Sequence, residues 1–158
     1  MLTSLRPSGH IWMHAEQFFN AAEILWNAEG VDLSKLCIPL VVNYALSAEL
    51  AMKAAEGFTN YGPVIDGIIG AATLGSSARG HKLPEVFNKL QTDTQAGISR
   101  EFYLATGEPL QPLLERCADY FVQGRYAYES KGGSYDLTAI RMLAGGLLKA
   151  VKAHGLKQ

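Results

Sequence analysis

The sequence is poor in charge, cysteine and proline. Charged residues fill 18% of its 158 positions, with 14 Lys and Arg against 15 Asp and Glu. The net charge of −1 leaves no excess of either sign. A nonspecific coat for nucleic acid is therefore excluded, although a local cationic patch is not. Two cysteines, Cys37 and Cys117, lie far apart among apolar neighbours. Secreted scaffolds carry more cysteines at closer spacing, and structural zinc sites need paired ones. Both cysteines are expected to be reduced core residues of a cytoplasmic protein. The opening MLTSLRPSGHIWMHAEQ has no unbroken apolar run, so no signal peptide is expected there. The most membrane-like stretch, Ile38 to Ala55, is interrupted by Asn43, Glu49 and Lys53. Two charges inside a span are costly, so no membrane helix is expected. Repeats and low-complexity tracts are missing. No alternation of strands and helices supports a Rossmann or P-loop fold, and no cofactor is expected.

What is present is apolar and helical. Hydrophobic residues make up 48% of the chain, enough for a sizeable core and too many for disorder. The length fits a single domain over residues 1–158. Ile11, Ala15, Phe18, Ala22 and Leu25 recur at 3.6-residue spacing, which predicts a first helix from about His10 to Gly30. A second helix from Pro39 to Glu56 is apolar nearly all round and belongs at the centre of a bundle. Residues 57–80 carry six glycines and only two charges, Asp66 and Arg79. Val64-Ile65 and Ile68-Ile69 have weak β character, and a long loop that includes a short hairpin or helical turn is expected there. A third helix starts near Pro84, Thr92 to Gly97 breaks it, and Ile98 to Ala105 forms a short one. The next opens with Pro109 and Pro112 and continues to Glu129. A Lys131-Gly132-Gly133-Ser134 turn then leads to a last helix capped by Asp136. Gly145-Gly146 inside that helix implies close packing within the chain or across a dimer. The expected fold is an all-α antiparallel bundle of about five main helices, with a glycine-rich loop between the second and third.

Few residues stand out chemically. Glu49 and Lys53 lie one turn apart, about 40° apart around the most apolar helix. They form either a structural ion pair or the polar wall of a groove. Arg79, His81 and Lys82 gather cations at the start of the third helix. They form an anion site beside that helix N-terminus, or His81 is simply a helix-entry residue. The surrounding Gly75-to-Lys82 segment lacks the spacing and hydroxyl of a phosphate loop. Arg125 and Glu129, one turn apart around Tyr126, are placed to pair at a helix end. His10 and His14 have metal-sharing spacing, but no third ligand accompanies them, so no metal is expected. No nucleophile elbow or catalytic cysteine signature is present.

Three of these segments together resemble a HEPN domain. They are Asn43-Tyr44-Ala45-Leu46-Ser47-Ala48-Glu49-Leu50-Ala51-Met52-Lys53, then Gly80-His81-Lys82-Leu83, then Arg125-Tyr126 with Glu129. The resemblance spans Ile38 to Glu129 and implies an all-α, homodimeric bundle. Many HEPN proteins are metal-independent ribonucleases whose signature is Arg, four to six intervening residues, then His. Here Arg6 and His10 have three residues between them, Arg79 and His81 one, Arg141 and His154 twelve. The resemblance therefore implies a non-catalytic module that binds nucleotide or RNA. Its partner could equally be a protein, such as a nucleotidyltransferase or a toxin–antitoxin partner. The expected binding groove comprises Glu49, Lys53, Arg79, His81, Lys82, Arg125, Tyr126 and Glu129. Two alternatives stand beside it: a divergent ribonuclease using His81 and Arg125, and a purely structural interaction protein.

Overall fold

The structure, a computed structural model, describes residues 5–129 and 133–156. Among the described residues helix accounts for 66% and strand for 8%, so the fold is all-α, with the helices packed together. Helix α1 (Gly9–Trp26) is capped by Ser8, whose hydroxyl accepts from Ile11 N–H at 3.3 Å. It stops at Trp26, short of Gly30, where the Asn27 side chain takes the Glu23 carbonyl. A single 3₁₀ turn, Leu33–Leu36, leads into α2 (Cys37–Ala55).

The apolar circumference of α2 has the expected consequence. Leu40, Val41, Tyr44, Ala45, Ala48, Ala51, Met52 and Ala54 are fully buried. By length and composition alone, Leu33–Ala55 could cross a membrane. In the fold it is the central core helix, flanked by α1 and by the helices Tyr120–Arg125 and Leu137–Gly155. The small residues Ala15 and Ala22 of α1 let the two backbones approach, and Ser47 Oγ donates to the Ala15 carbonyl at 2.8 Å. Helix α7 (Leu137–Gly155) packs on the same unit, capped by Asp136 as its sequence predicts. Trp12 Nε1 donates to the Leu148 carbonyl at 3.0 Å, so α1 runs antiparallel to both α2 and α7.

Two expectations about the middle helices need correction. Residues 92–97 do not break the chain: α4 runs unbroken from Thr92 to Thr106. Its start is secured from elsewhere. The buried Glu56 carboxylate accepts Gln91 N–H at 2.7 Å, and the Gln95 side chain donates to the Leu90 carbonyl at 2.7 Å. Gly97 then sits against the His154 imidazole on α7, where any side chain would collide. Conversely, the helix expected from Pro109 to Glu129 is two: α5 (Leu110–Arg116) and α6 (Tyr120–Arg125). The break frees the Ala118 carbonyl to accept Leu83 N–H at 3.1 Å. That bond joins the short α3 (Leu83–Asn88) to the α5–α6 corner. A 3₁₀ turn at Ala127–Glu129 follows. Lys131 and Gly132 of the expected turn lie outside the described residues.

The glycine-rich stretch contains the short hairpin allowed for in its sequence, and the pairing extends further, into a β-hairpin arm. Strand β1 (Gly57–Asn60) pairs antiparallel with β4 (Thr73–Ser76), from Gly57↔Ser76 to Asn60↔Thr73. A second pair, β2 (Val64–Ile65) and β3 (Ile68–Ile69), extends it around Asp66-Gly67. Both turn residues take positive φ, which fits the Asp-Gly turn signal.

Candidate functional site

The α5–α6 break, the hairpin exit and α2 converge on one side of the bundle. Glu49 points out of α2 yet is only 2% exposed. Its Oε1 accepts from Lys53 Nζ at 2.7 Å. His81 Nδ1 lies 3.2 Å from both Glu49 oxygens. A carboxylate offers only acceptors, so the proton between them is assigned to Nδ1. His81 is delivered by Gly80, whose φ of +114° turns the chain from the arm into α3.

The His81 side chain is 54% exposed, and its Nε2 makes no hydrogen bond among the described residues. Its ring stands 5.3 Å, centroid to centroid, from the buried Phe121 ring of α6. The Arg125 guanidinium lies 5.3 Å from the same Phe121 centroid and 5.4 Å from that of Tyr126. Both distances suit cation–π contact. Five of the predicted residues, Glu49, Lys53, His81, Arg125 and Tyr126, are thus brought together, with Phe121 joining His81 to Arg125. Sequence reasoning read Phe121 only as core, because its helical spacing carried no mark of a second role.

Other predicted members fall differently. Lys82 Nζ stands 3.9 Å from Asp119 Oδ1, a loose surface pair. Arg79 is exposed and makes no side-chain ion pair among the described residues; its carbonyl accepts from Lys89 Nζ at 2.6 Å. Arg125 and Glu129 do not pair. Helix α6 ends at Arg125, so the helical spacing is lost, and Glu129 takes the Tyr128 phenol, whose pKa it raises. At the start of the six-residue α3 the first N–H, that of Leu83, is spent on the Ala118 carbonyl.

His10 and His14 stack at 4.7 Å, and among the described residues no three His, Cys, Asp or Glu cluster as metal ligands would. Burial raises the Cys117 thiol to about 12, and both cysteines are free. Such a thiol is a poor nucleophile.

A second polar cluster escaped the sequence reading. Arg141 of α7 grips Glu23 of α1 through Nε at 2.7 Å and an Nη at 2.8 Å. The Tyr44 phenol donates to Glu23 at 2.6 Å, and Arg141 lies over the Trp26 ring at 4.6 Å. The Arg141 bonds, then those of Tyr44, lower the Glu23 pKa against the opposing effect of burial. Burial, then Glu23, raises the Tyr44 phenol. The only signal for it was an Arg within an apolar helical stripe.

The two clusters differ in what they can do. The Glu23 cluster is a closed three-helix tie. The Glu49 cluster has a satisfied inner part, Glu49 with Lys53, and an open outer part. There, His81 and Arg125 meet solvent, and Arg125 has no carboxylate partner among the described residues. No protein-family model, curated protein or solved structure matches the chain.

Proposed function

We propose that this chain is a HEPN-like, non-catalytic binding module, homodimeric, whose outer site takes a phosphate-bearing ligand, a nucleotide or RNA. The observation that carries the reading is the open pairing of His81 with Arg125. His81 is fixed through Nδ1 by a buried carboxylate, and Arg125, without a carboxylate partner among the described residues, shares the Phe121 ring with it. A guanidinium with free donors matches phosphate geometry. Tyr126, 43% exposed beside Arg125, offers a ring on which a base can stack. Lys82, held only at 3.9 Å, can turn to the same ligand. Glu49 and Lys53 serve as the support that orients His81.

Calorimetric titration of the full chain with nucleotides and short RNAs tests this. Binding is expected to weaken at least tenfold in Arg125→Ala and severalfold in Lys82→Ala, and to fall with added salt. No binding to any of these ligands, or binding indifferent to both changes, overturns it.

One observation favours a second reading, a divergent metal-independent ribonuclease. A carboxylate that holds Nδ1 leaves Nε2 free to exchange a proton with substrate, and Arg125 stands near enough to stabilise phosphate charge. The same RNAs, incubated without metal, decide it. Cleavage that disappears in His81→Ala supports catalysis; no cleavage, or equal cleavage by that variant, leaves binding alone.

A further inference from the structure

We propose that the β-hairpin arm is a dimerisation element: the free edge of β4 pairs antiparallel with the β4 edge of a second copy. The two hairpins would join as one four-stranded sheet in the order β1–β4–β4–β1. This deepens the homodimer of the proposed reading and rests on that part of it alone.

The argument begins with what the arm lacks. Isolated edge strands are normally blunted by charge, proline or a bulge, because their unpaired backbone groups template association. Between Gly57 and Ala78 the only charged residue is Asp66, at the far turn, and the only proline is Pro63. Neither lies on β4. The outer edge of β1 is partly used, since Arg6 and Gly57 exchange two backbone hydrogen bonds of 2.9 Å. The outer edge of β4 makes no backbone bond to another strand among the described residues.

The arm is also too bare to stand alone. A two-stranded hairpin is marginal in water without a third strand or a packed face. Val64, Ile65 and Ile68 at the tip are 66%, 65% and 74% exposed, and Leu74 on β4 is 49% exposed. None of residues 58–68 and 70–77 belongs to the bundle core.

A second copy fits this edge for three reasons. The edge is uncharged, so two copies meet without like-charge repulsion. Antiparallel pairing of a strand with itself obeys two-fold symmetry, the commonest closed arrangement. The same geometry also covers the tip. Strand β4 runs from the tip toward the bundle, so antiparallel pairing carries each tip past Ser76 of the other copy toward that copy's bundle.

The register follows from the pleat. A two-fold axis perpendicular to the sheet keeps each face on its own side, so paired residues must share a face. Centring on Leu74 sets Leu74 opposite Leu74 and Thr73 opposite Gly75. It buries the one exposed apolar side chain of β4 against its copy. The opposite face at Gly75 is already filled by the Phe58 ring. A lipid surface is the less suitable occupant, because no Lys or Arg lies between 57 and 78 to meet anionic headgroups.

Sedimentation velocity of the full chain at micromolar concentration provides the test, with far-UV circular dichroism as a check on the fold. The wild type is expected at the mass of two chains. Leu74→Lys and Thr73→Lys are expected at the mass of one, with dimer affinity at least tenfold lower and helical signal unchanged. In a Cys37→Ser background, Leu74→Cys is expected to form a disulfide-linked dimer on mild oxidation. A monomeric wild type overturns the proposal, whether or not it floats with phosphatidylcholine vesicles. So does a dimer that survives Leu74→Lys, or a Leu74→Cys dimer that does not cross-link. Nucleotide titration is a separate readout: a monomer that still binds ligand removes this interface and leaves the proposed ligand site standing.

Discussion

Glu23 shows how one residue can hold three helices. Its two oxygens take Arg141 from α7 and Tyr44 from α2, while its own backbone belongs to α1. The carboxyl therefore titrates below its ordinary range in the folded chain. The sign of the pH dependence follows. A depressed folded pKa adds stability above the unfolded value, and this is lost as pH falls through the folded one. Chemical denaturation from about pH 6 down to about pH 3 should show wild-type stability falling on the acid side. Glu23→Gln should be less stable at neutral pH by about 1–2 kcal/mol, a figure reduced for the partial exposure of Arg141, and its acid slope should be shallower. Equal acid slopes in the two proteins would refute the assignment. At the same scale, Glu49 and Lys53 could be read from sequence as a pair on one helical face. Their third partner, His81, could not be assigned, because the distance between His81 and α2 is set by the arm and not by helical spacing.

At the scale of the element, the paired glycines of α7 are explained by their neighbours. A Cβ on Gly146 would strike the Phe102 ring and lie 2.7 Å from Thr106 Cγ2, both on α4. A Cβ on Gly145 would meet only the Phe19 ring on α1, at 3.2 Å from Cζ and 3.3 Å from Cε2. The close approach anticipated from Gly145-Gly146 is therefore within the chain, between α7 and its two neighbours. Helix propensity favours Ala over Gly by about 1 kcal/mol, whereas overpacking a core costs about 1–3 kcal/mol. Gly146→Ala should thus lower stability by about 1–2 kcal/mol, and Gly145→Ala should be near neutral. Thermal unfolding of the two variants side by side checks this; equal shifts would show that the α4 contact is not the cause. The elements that sequence misplaced share one physical origin. Helix α4 begins early because Glu56, distant in sequence, caps it, and α5 separates from α6 because Leu83 needs the Ala118 carbonyl. Local periodicity carries no record of either bond.

At the scale of the whole molecule, bundle and arm are separable. The buried core runs from Ala15 to Val151 without using residues 58–68 or 70–77. Replacing residues 59–74 by Asn-Gly keeps the Phe58↔Gly75 pair and closes it with a two-residue turn suited to a hairpin. This shortened chain should retain its helical circular dichroism and cooperative unfolding, and it should sediment as a monomer. Loss of the helical signal would show that the arm is part of the folding unit.

The sequence by itself determined the class of the fold, the central place of α2, the Asp136 cap and the isolation of a few charges on an apolar background. Each depends on local periodicity or on the cost of burying charge, which neighbouring residues record. Tertiary structure alone decided that Gly57–Asn60 pairs with Thr73–Ser76 at the base of the glycine-rich stretch and that α5 ends at Arg116. It also decided that Phe121 joins His81 to Arg125, and that Arg125 turns to aromatic rings instead of Glu129. These outcomes rest on hydrogen bonds and ring contacts between segments remote in sequence. The scarcity of charge acquires its meaning there: with so few ionic groups, Arg125 stands at the surface without a carboxylate partner among the described residues.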